Sequence, residues 1–214
     1  PVAKGEPGDA YPWCWSIYRW IEGENLAVEQ MADPRRSATD LGNFIKALQR
    51  IDSSAGPRPG IHGSFRGEPL AMRDERTREA IQSLRGILDT GSVTARWEQA
   101  LAAPVWDAPG VWLHGDLQSG NLLAVEGRLS AVIDFGCLGV GDPACDIMTA
   151  WTYLTAKTRT VFRAALQVDA ATWARGRGWA LSFGVIALPY YQDTNPILAA
   201  IARRAINEVL ADPE

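Results

Sequence analysis

The sequence predicts an α+β fold: a mostly helical body with one β-hairpin set into it and a lone strand near the front. Three observations carry that reading. Apolar residues recur at helical spacing along much of the chain after Ser37. Two short hydrophobic runs, Asn121–Val125 and Leu129–Asp134, flank Glu126-Gly127-Arg128, which is a hairpin signal. Trp13–Ile21 (WCWSIYRWI) is aromatic and β-branched, as strands are.

Composition excludes several classes. The chain has 214 residues, 47% hydrophobic and 21% charged, enough apolar surface to build a core and too much for disorder. A formal net charge of −4 is not the basic footprint of a nucleic-acid binder. Arg175, Arg177, Pro189 and Asp193 cut the apolar parts of the last third, so no membrane span and no membrane partner is expected. Cys14, Cys137 and Cys145 are odd in number and lack CxxC spacing, which reads as reduced, buried thiols. With no signal-peptide pattern, the expected location is cytoplasmic. The chain begins at Pro1 rather than Met, so the natural N-terminus is expected upstream.

The elements follow in order. Residues 1–12 are rich in Gly and Pro and read as loop, with Lys4 a loop lysine. The strand Trp13–Ile21 ends at Glu22-Gly23-Glu24, and Trp13, Trp15 and Trp20 are assigned to the core. Leu41, Phe44, Ile45, Leu48 and Ile51 predict a helix from Ser37, with Ser37 as cap. Helical patterns follow at 72–89 and 92–102. After the hairpin, helices are predicted at 143–156, 158–167, 170–187 and 195–211, the first capped by Asp142 with Pro143 at its first position. Trp173 and Trp179 read as core, and Arg175-Gly176-Arg177-Gly178 as a solvated helix face.

The chemistry sits in WLHGDLQSGNLLAV (Trp112–Val125) and AVIDFG (Ala131–Gly136). A turn on Gly127-Arg128 sets Glu126 opposite Leu129 and, counting outward, Asn121 opposite Asp134. Directly opposite side chains share a face with Cβ atoms about 4.5–5.5 Å apart. An amide oxygen and a carboxylate at the open end of the hairpin suit Mg²⁺, which takes few protein oxygens and leaves positions to water and phosphate. Asp116, five residues before Asn121, reaches the same end as a base for a hydroxyl proton. The chain has two histidines, His62 and His114, far apart in sequence, which argues against a His-rich hydrolase centre.

His114-Gly115-Asp116-Leu117-Gln118-Ser119-Gly120-Asn121 fits the H-x-D-x-x-x-x-N catalytic loop of kinases, and Ile133-Asp134-Phe135-Gly136 fits their metal-binding D-F-G. With the HGD variant and the continuation through Gly141-Asp142 to Asp146, the chain resembles the aminoglycoside phosphotransferase family over nearly its whole length. The resemblance implies a protein-kinase-like fold. Residues 1–24 would be a remnant of the N-lobe, its terminal strand and hinge, and residues 25–214 the helical C-lobe with catalytic loop and metal-binding hairpin. It implies Asp116 as catalytic base, Asn121 and Asp134 as Mg²⁺ ligands, and the backbone of Arg19, Trp20 and Ile21 as the adenine contact. His114 and Asp146 would brace the catalytic loop. ATP, or another nucleoside triphosphate, and Mg²⁺ are the implied cofactors. The implied partner is a small hydroxyl acceptor such as an aminoglycoside, sugar or amino alcohol. Residues 25–70 and 150–195 would choose it, and Glu24, Asp169 and Asp193 are the acidic groups available to a cationic one. Most of the N-lobe is missing from the sequence, so the 214-residue chain is expected to be weakly active or inactive. The alternative is a catalytically silent kinase-like binding domain, against which Asp116, Asn121 and Asp134 all stand intact.

Overall fold

The structure, a computed structural model, describes residues 1–27 and 30–213. Strands β1 (Ala3–Gly5) and β2 (Trp15–Ile17) pair antiparallel, with Lys4 opposite Ser16. Lys4 therefore stands in a strand rather than a loop, in an exposed ion pair with Glu6 at 3.6 Å. β2 covers only the middle of the aromatic stretch, and Trp13, Trp15 and Trp20 are exposed rather than core. Two three-residue strands offer too little surface to bury the rings, although the Trp15 indole does lie over Gly5 across the ladder. Cys14 is exposed and Cys137 half-buried; of the three thiols only Cys145 is buried.

A short strand β3 (Glu24–Asn25) leads to helix α1 (Pro34–Gln49). This helix starts three residues before Ser37. Asp33 caps it, accepting from the Arg36 N–H at 3.0 Å, and Pro34 occupies the first turn. Ser37 is buried inside the helix. Helices α2 (Asp74–Ser83) and α3 (Thr90–Leu101) follow, then strands β4 (Val111–Leu113), β5 (Leu122–Val125), β6 (Arg128–Val132) and β7 (Gly139–Gly141). β3, β5 and β6 form one sheet in that order, and β4 pairs with β7.

The predicted helix at 143–156 is split at Met148 into α4 (Ala144–Ile147) and α5 (Thr149–Thr152). Helices α6 (Ala156–Leu166), α7 (Ala170–Tyr191) and α8 (Pro196–Ala211) complete the chain. α7 is the central element, packed by α2, α3, α4 and α8, and most of its residues are buried. Glycines make that possible: a Cβ on Gly176 would lie 2.6 Å from Ile147 Cγ2, and one on Gly184 2.9 Å from the Ala202 carbonyl oxygen. The core includes Leu41, Trp97, Trp151, Phe162, Trp179 and Ile206.

The Arg175–Gly178 stretch is therefore not a solvated face; both arginines are buried. Close approach of the neighbouring helices leaves Arg175 to find a partner inside. Its Nε donates to Asp142 Oδ2 at 2.7 Å and its Nη2 to Oδ1 at 3.1 Å, while Oδ1 also accepts from the Ala144 N–H at 2.9 Å. The cap position of α4 itself falls on Pro143 rather than on Asp142, and the helix begins at Ala144. No helix of the structure is long and apolar enough to cross a membrane.

Two consequences for stability follow. Asp142→Ala leaves the Arg175 guanidinium buried without its carboxylate, and the unfolding free energy in urea is expected to fall by about 3–5 kcal/mol; an unchanged midpoint would contradict the pairing. Asp169 caps α7, accepting from the Thr172 N–H, which holds its carboxyl below the ordinary 3.8. A depressed folded pKa means stability present above the unfolded value and lost as pH falls through the folded one. Asp169→Ala is thus expected to lower stability by about 1 kcal/mol at neutral pH, with the difference from wild type shrinking in acid.

Candidate active site

The β4–β7 ladder brings the two motifs together. Leu113, which leads into His114, pairs with Gly139, which follows the 3-10 turn Phe135–Cys137. Between these strands the chain at Gly115 takes φ +80°, and a Cβ there would lie 2.6 Å from the Cys137 carbonyl oxygen. Only glycine fits that turn.

Asp146, fully buried in α4, faces the turn from below. Its Oδ2 accepts from the His114 N–H and its Oδ1 from the Gly115 N–H, both at 2.8 Å. Burial pushes this carboxyl up, while the two backbone N–H bonds pull the other way. The His114 ring is also buried. Its Nδ1 accepts from the Asp116 N–H at 3.2 Å and its Nε2 lies 3.0 Å from the Ile133 carbonyl oxygen, which assigns the Nε2–H tautomer. One imidazole therefore ties the HGD loop to the residue before Asp134. Phe135 packs on the same ring with centroids 4.7 Å apart, and Phe44 of α1 meets both rings edge-on.

Asp116 is half-buried, and two amides orient it. Asn121 Nδ2 donates to its Oδ2 at 2.9 Å and to its backbone oxygen at 2.8 Å; Gln118 Nε2 donates to Oδ2 at 3.1 Å. Oδ1 of Asp116 and the amide oxygen of Asn121 accept no hydrogen bond among the described residues. Both are left as oxygen acceptors, on a half-buried Asp116 and a buried Asn121.

The hairpin register differs from the expected one. The turn is Glu126-Gly127, at φ 51° and 70°, so Val125 pairs with Arg128. Both positive φ values mark a type I′ turn, the kind that matches strand twist. A bulge then skips Ser130, whose hydroxyl donates to the Leu123 carbonyl at 3.1 Å. Asn121 consequently stands across from Ile133, whose N–H donates to its carbonyl at 3.0 Å, and not across from Asp134. Asp134, one residue further and exposed, turns into the left-handed region (φ 61°, ψ 71°), with Oδ1 accepting from the Gly136 N–H at 3.2 Å. Such a conformation is costly for a non-glycine residue and is found at functional turns.

Asn121 offers an amide oxygen and Asp134 a carboxylate, donor types that fit a hard divalent cation. Among the described residues no three His, Cys, Asp or Glu side chains gather as a self-sufficient metal centre. Burial raises the Cys137 thiol, reinforced by the negative charge of Asp116, and pushes Cys145 up to about 12.

Arg19, Trp20 and Ile21 lie exposed between β2 and β3, outside this hydrogen-bonded network. Glu24 is paired in β3 opposite Ala124, Asp169 is occupied as a cap, and Asp193 lies exposed in a turn. Sequence reasoning missed Gln118 as an orienting amide, Phe44 and Phe135 as packing for the histidine, and Arg66. A Cβ at Gly115 would lie 3.3 Å from that of Arg66. Gln118 was legible from its place two residues after Asp116; Phe44 reads only as core, and Arg66 carries no local signal.

The family model APH, described as a phosphotransferase enzyme family, matches residues 1–179. No curated protein sequence matches the chain significantly. Among solved structures, the GDP and kanamycin complex of APH(2")-IIia covers 100% of this chain and 75% of its own, with TM-score 0.66 at 20% identity. Macrolide 2'-phosphotransferase type I covers 88% and 68%, with TM-score 0.59 at 17% identity. The apoenzyme of macrolide 2'-phosphotransferase MphH from Brachybacterium faecium covers 92% and 70%, with TM-score 0.53 at 23% identity. These likenesses identify the fold as protein-kinase-like.

Asp146→Asn checks the brace. It sets an amide donor against a backbone N–H, leaves one donor unsatisfied, and is expected to lower stability by about 1–3 kcal/mol in urea unfolding. A variant as stable as wild type would remove Asp146 from the role.

Proposed function

The chain belongs to the phosphotransferase enzyme family, and from that premise we propose that it serves ATP-dependent transfer of a phosphoryl group to a hydroxyl of a small molecule. The observation that carries the proposal is the state of Asp116. Two amides fix Oδ2, and Oδ1 is left to accept a proton. In the transfer, the acceptor oxygen bonds to the terminal phosphorus and the bond to the bridging oxygen breaks. The hydroxyl proton passes to Asp116, and the nucleoside diphosphate leaves.

Asn121 and Asp134 are the residues proposed to hold Mg²⁺. The chemistry that ion supplies is neutralisation of charge on the transferred group. His114 and Asp146 are positioning residues: they fix the backbone on either side of Gly115 and touch no reacting atom. The backbone of Arg19 to Ile21, free of hydrogen bonds among the described residues, is proposed to meet the base of the nucleotide. Several solved relatives are GDP, ADP or ATP complexes, which supports a nucleoside triphosphate as donor without choosing between ATP and GTP.

Residues 1–24 are read as the end of the lobe that covers the nucleotide, and 25–214 as the lobe that carries the catalytic loop. The first part holds two short strands and, among its residues, no helix to carry the glutamate that pairs a phosphate-binding lysine. The 214-residue chain by itself is therefore expected to turn over weakly.

The test is Mg·ATP turnover by the full-length gene product and by this chain, against sugars, amino alcohols and aminoglycosides, each with Asp116→Ala. Transfer by the full-length protein should fall by about 10²–10⁴-fold in the variant. Nucleotide binding without turnover, indifferent to Asp116, would instead support a silent binding domain.

A further inference from the structure

The chain as a whole is acidic, at −4, yet one of its clefts is lined by cations. Arg66, Arg73 and Arg76 face a cleft of about 410 Å³ whose other wall is the end of α7, with Tyr190 and Tyr191. No carboxylate lines it, and none of the three arginines makes an ion pair among the described residues.

The guanidinium groups are crowded rather than satisfied. Arg73 lies over the Trp179 ring at 4.5 Å, and Arg66 lies 6.0 Å from the same ring. Arg73 Nε donates to Ser182 Oγ at 2.9 Å, and the rest of its fork has no partner among the described residues. The Nε of Arg66 is buried with no partner there either. Burial, and then the charge of Arg66, lower the pKa of Arg73 to about 10; Arg76 adds to this, and Glu68 opposes it with a smaller effect. Like charges held this way are relieved by an anion, which a guanidinium fork binds in bidentate fashion.

The loop that presents Arg66 is also unusual. Ser64, Phe65 and Gly67 stand at φ 51°, 58° and 84°, so Arg66 is set between left-handed residues. This loop touches the catalytic turn: the Arg66 Cβ approaches Gly115, and the charges of Arg66 and Asp116 both act on Cys137.

We propose that this cleft is the acceptor subsite, and that it takes the phosphate or carboxylate of an anionic, hydroxyl-bearing small molecule. The proposal rests on the phosphotransferase reading above and gives its acceptor a charge class. An aminoglycoside, being cationic, would meet the wrong sign here.

The experiment compares a sugar phosphate, the corresponding neutral sugar and an amino sugar as acceptors for the full-length protein and its Arg76→Gln variant. Arg76 is exposed on α2, so its replacement spares the core. The sugar phosphate should give the highest kcat/KM, and R76Q should lower its advantage over the neutral sugar about tenfold, through KM. A preference for the neutral or amino sugar, or a ratio that R76Q does not move, overturns the proposal. A second arm titrates inorganic phosphate calorimetrically at fixed ionic strength without nucleotide. Binding weakened by R76Q supports the cleft as an anion site; no binding, or binding indifferent to R76Q, overturns it. If no acceptor is phosphorylated and no nucleotide binds, the phosphotransferase reading fails, and the phosphate titration alone decides the cleft.

Discussion

Two successive backbone N–H groups, of His114 and Gly115, converge on one buried carboxylate, and the geometry of the whole loop descends from that contact. With Asp146 accepting both, the chain must turn sharply at Gly115, where no Cβ is tolerated, and Asp116 emerges on the far side facing out. Asp146 in turn depends on where α4 begins. At that start Asp142 accepts from the Ala144 N–H while pairing with Arg175 of α7. A line of polar contacts thus runs from the central helix to the outward-facing carboxylate. A buried ion pair and a buried acceptor are poor sources of net stability. Their value here is positional, since they hold a loop that apolar packing alone would leave free to slide.

The outward face shows how oxygens are sorted by what they already bond. Asn121 uses its amide hydrogens on Asp116, and so presents its oxygen; Asp116 gives Oδ2 to two amides, and so presents Oδ1. One side of the loop is then rich in unpaired oxygen, suited to a cation. The loop bearing Arg66, against the same glycine, brings in a guanidinium whose buried Nε has no partner among the described residues, and whose charge also acts on Asp146. On the reading proposed above, an anionic acceptor would be attracted on one side, and Asn121 and Asp134 would hold a cation that neutralises phosphate charge on the other.

Much of this was legible in the sequence, because the hydrogen-bonded loop and the turn beside it are two local motifs whose spacing carries information. His114 through Asn121 and Ile133 through Gly136 were readable as loop and turn, and the helices after Asp142 as helices. What was not legible depends on atoms far apart in sequence. The hairpin register turned on a bulge at Ser130, which no alternation pattern announces, and it moved Asn121 from opposite Asp134 to opposite Ile133. Arg175 and Arg177 looked solvated because charge usually is; glycines at 176 and 184 let α4 and α8 close over the helix. Trp13, Trp15 and Trp20 looked like core because their residue type usually is, yet their short strands leave them exposed. The start of α1 is a miss that local rules contained, because Asp33-Pro34 carries a cap-and-proline signature; at Asp142-Pro143 the same signature misleads by a residue or two, since α4 begins at Ala144 with Pro143 as its cap.

The most direct measurement is the binding of Mn²⁺, in place of Mg²⁺, followed by electron paramagnetic resonance on the full-length protein with and without nucleoside diphosphate. Two protein oxygens are a weak site alone and a strong one when phosphate completes the shell. Tight binding is therefore expected only with nucleotide present, and it should be lost in Asp134→Ala. Binding that ignores the nucleotide, or that survives the loss of Asp134, would contradict the arrangement of this site as the centre of a phosphotransferase.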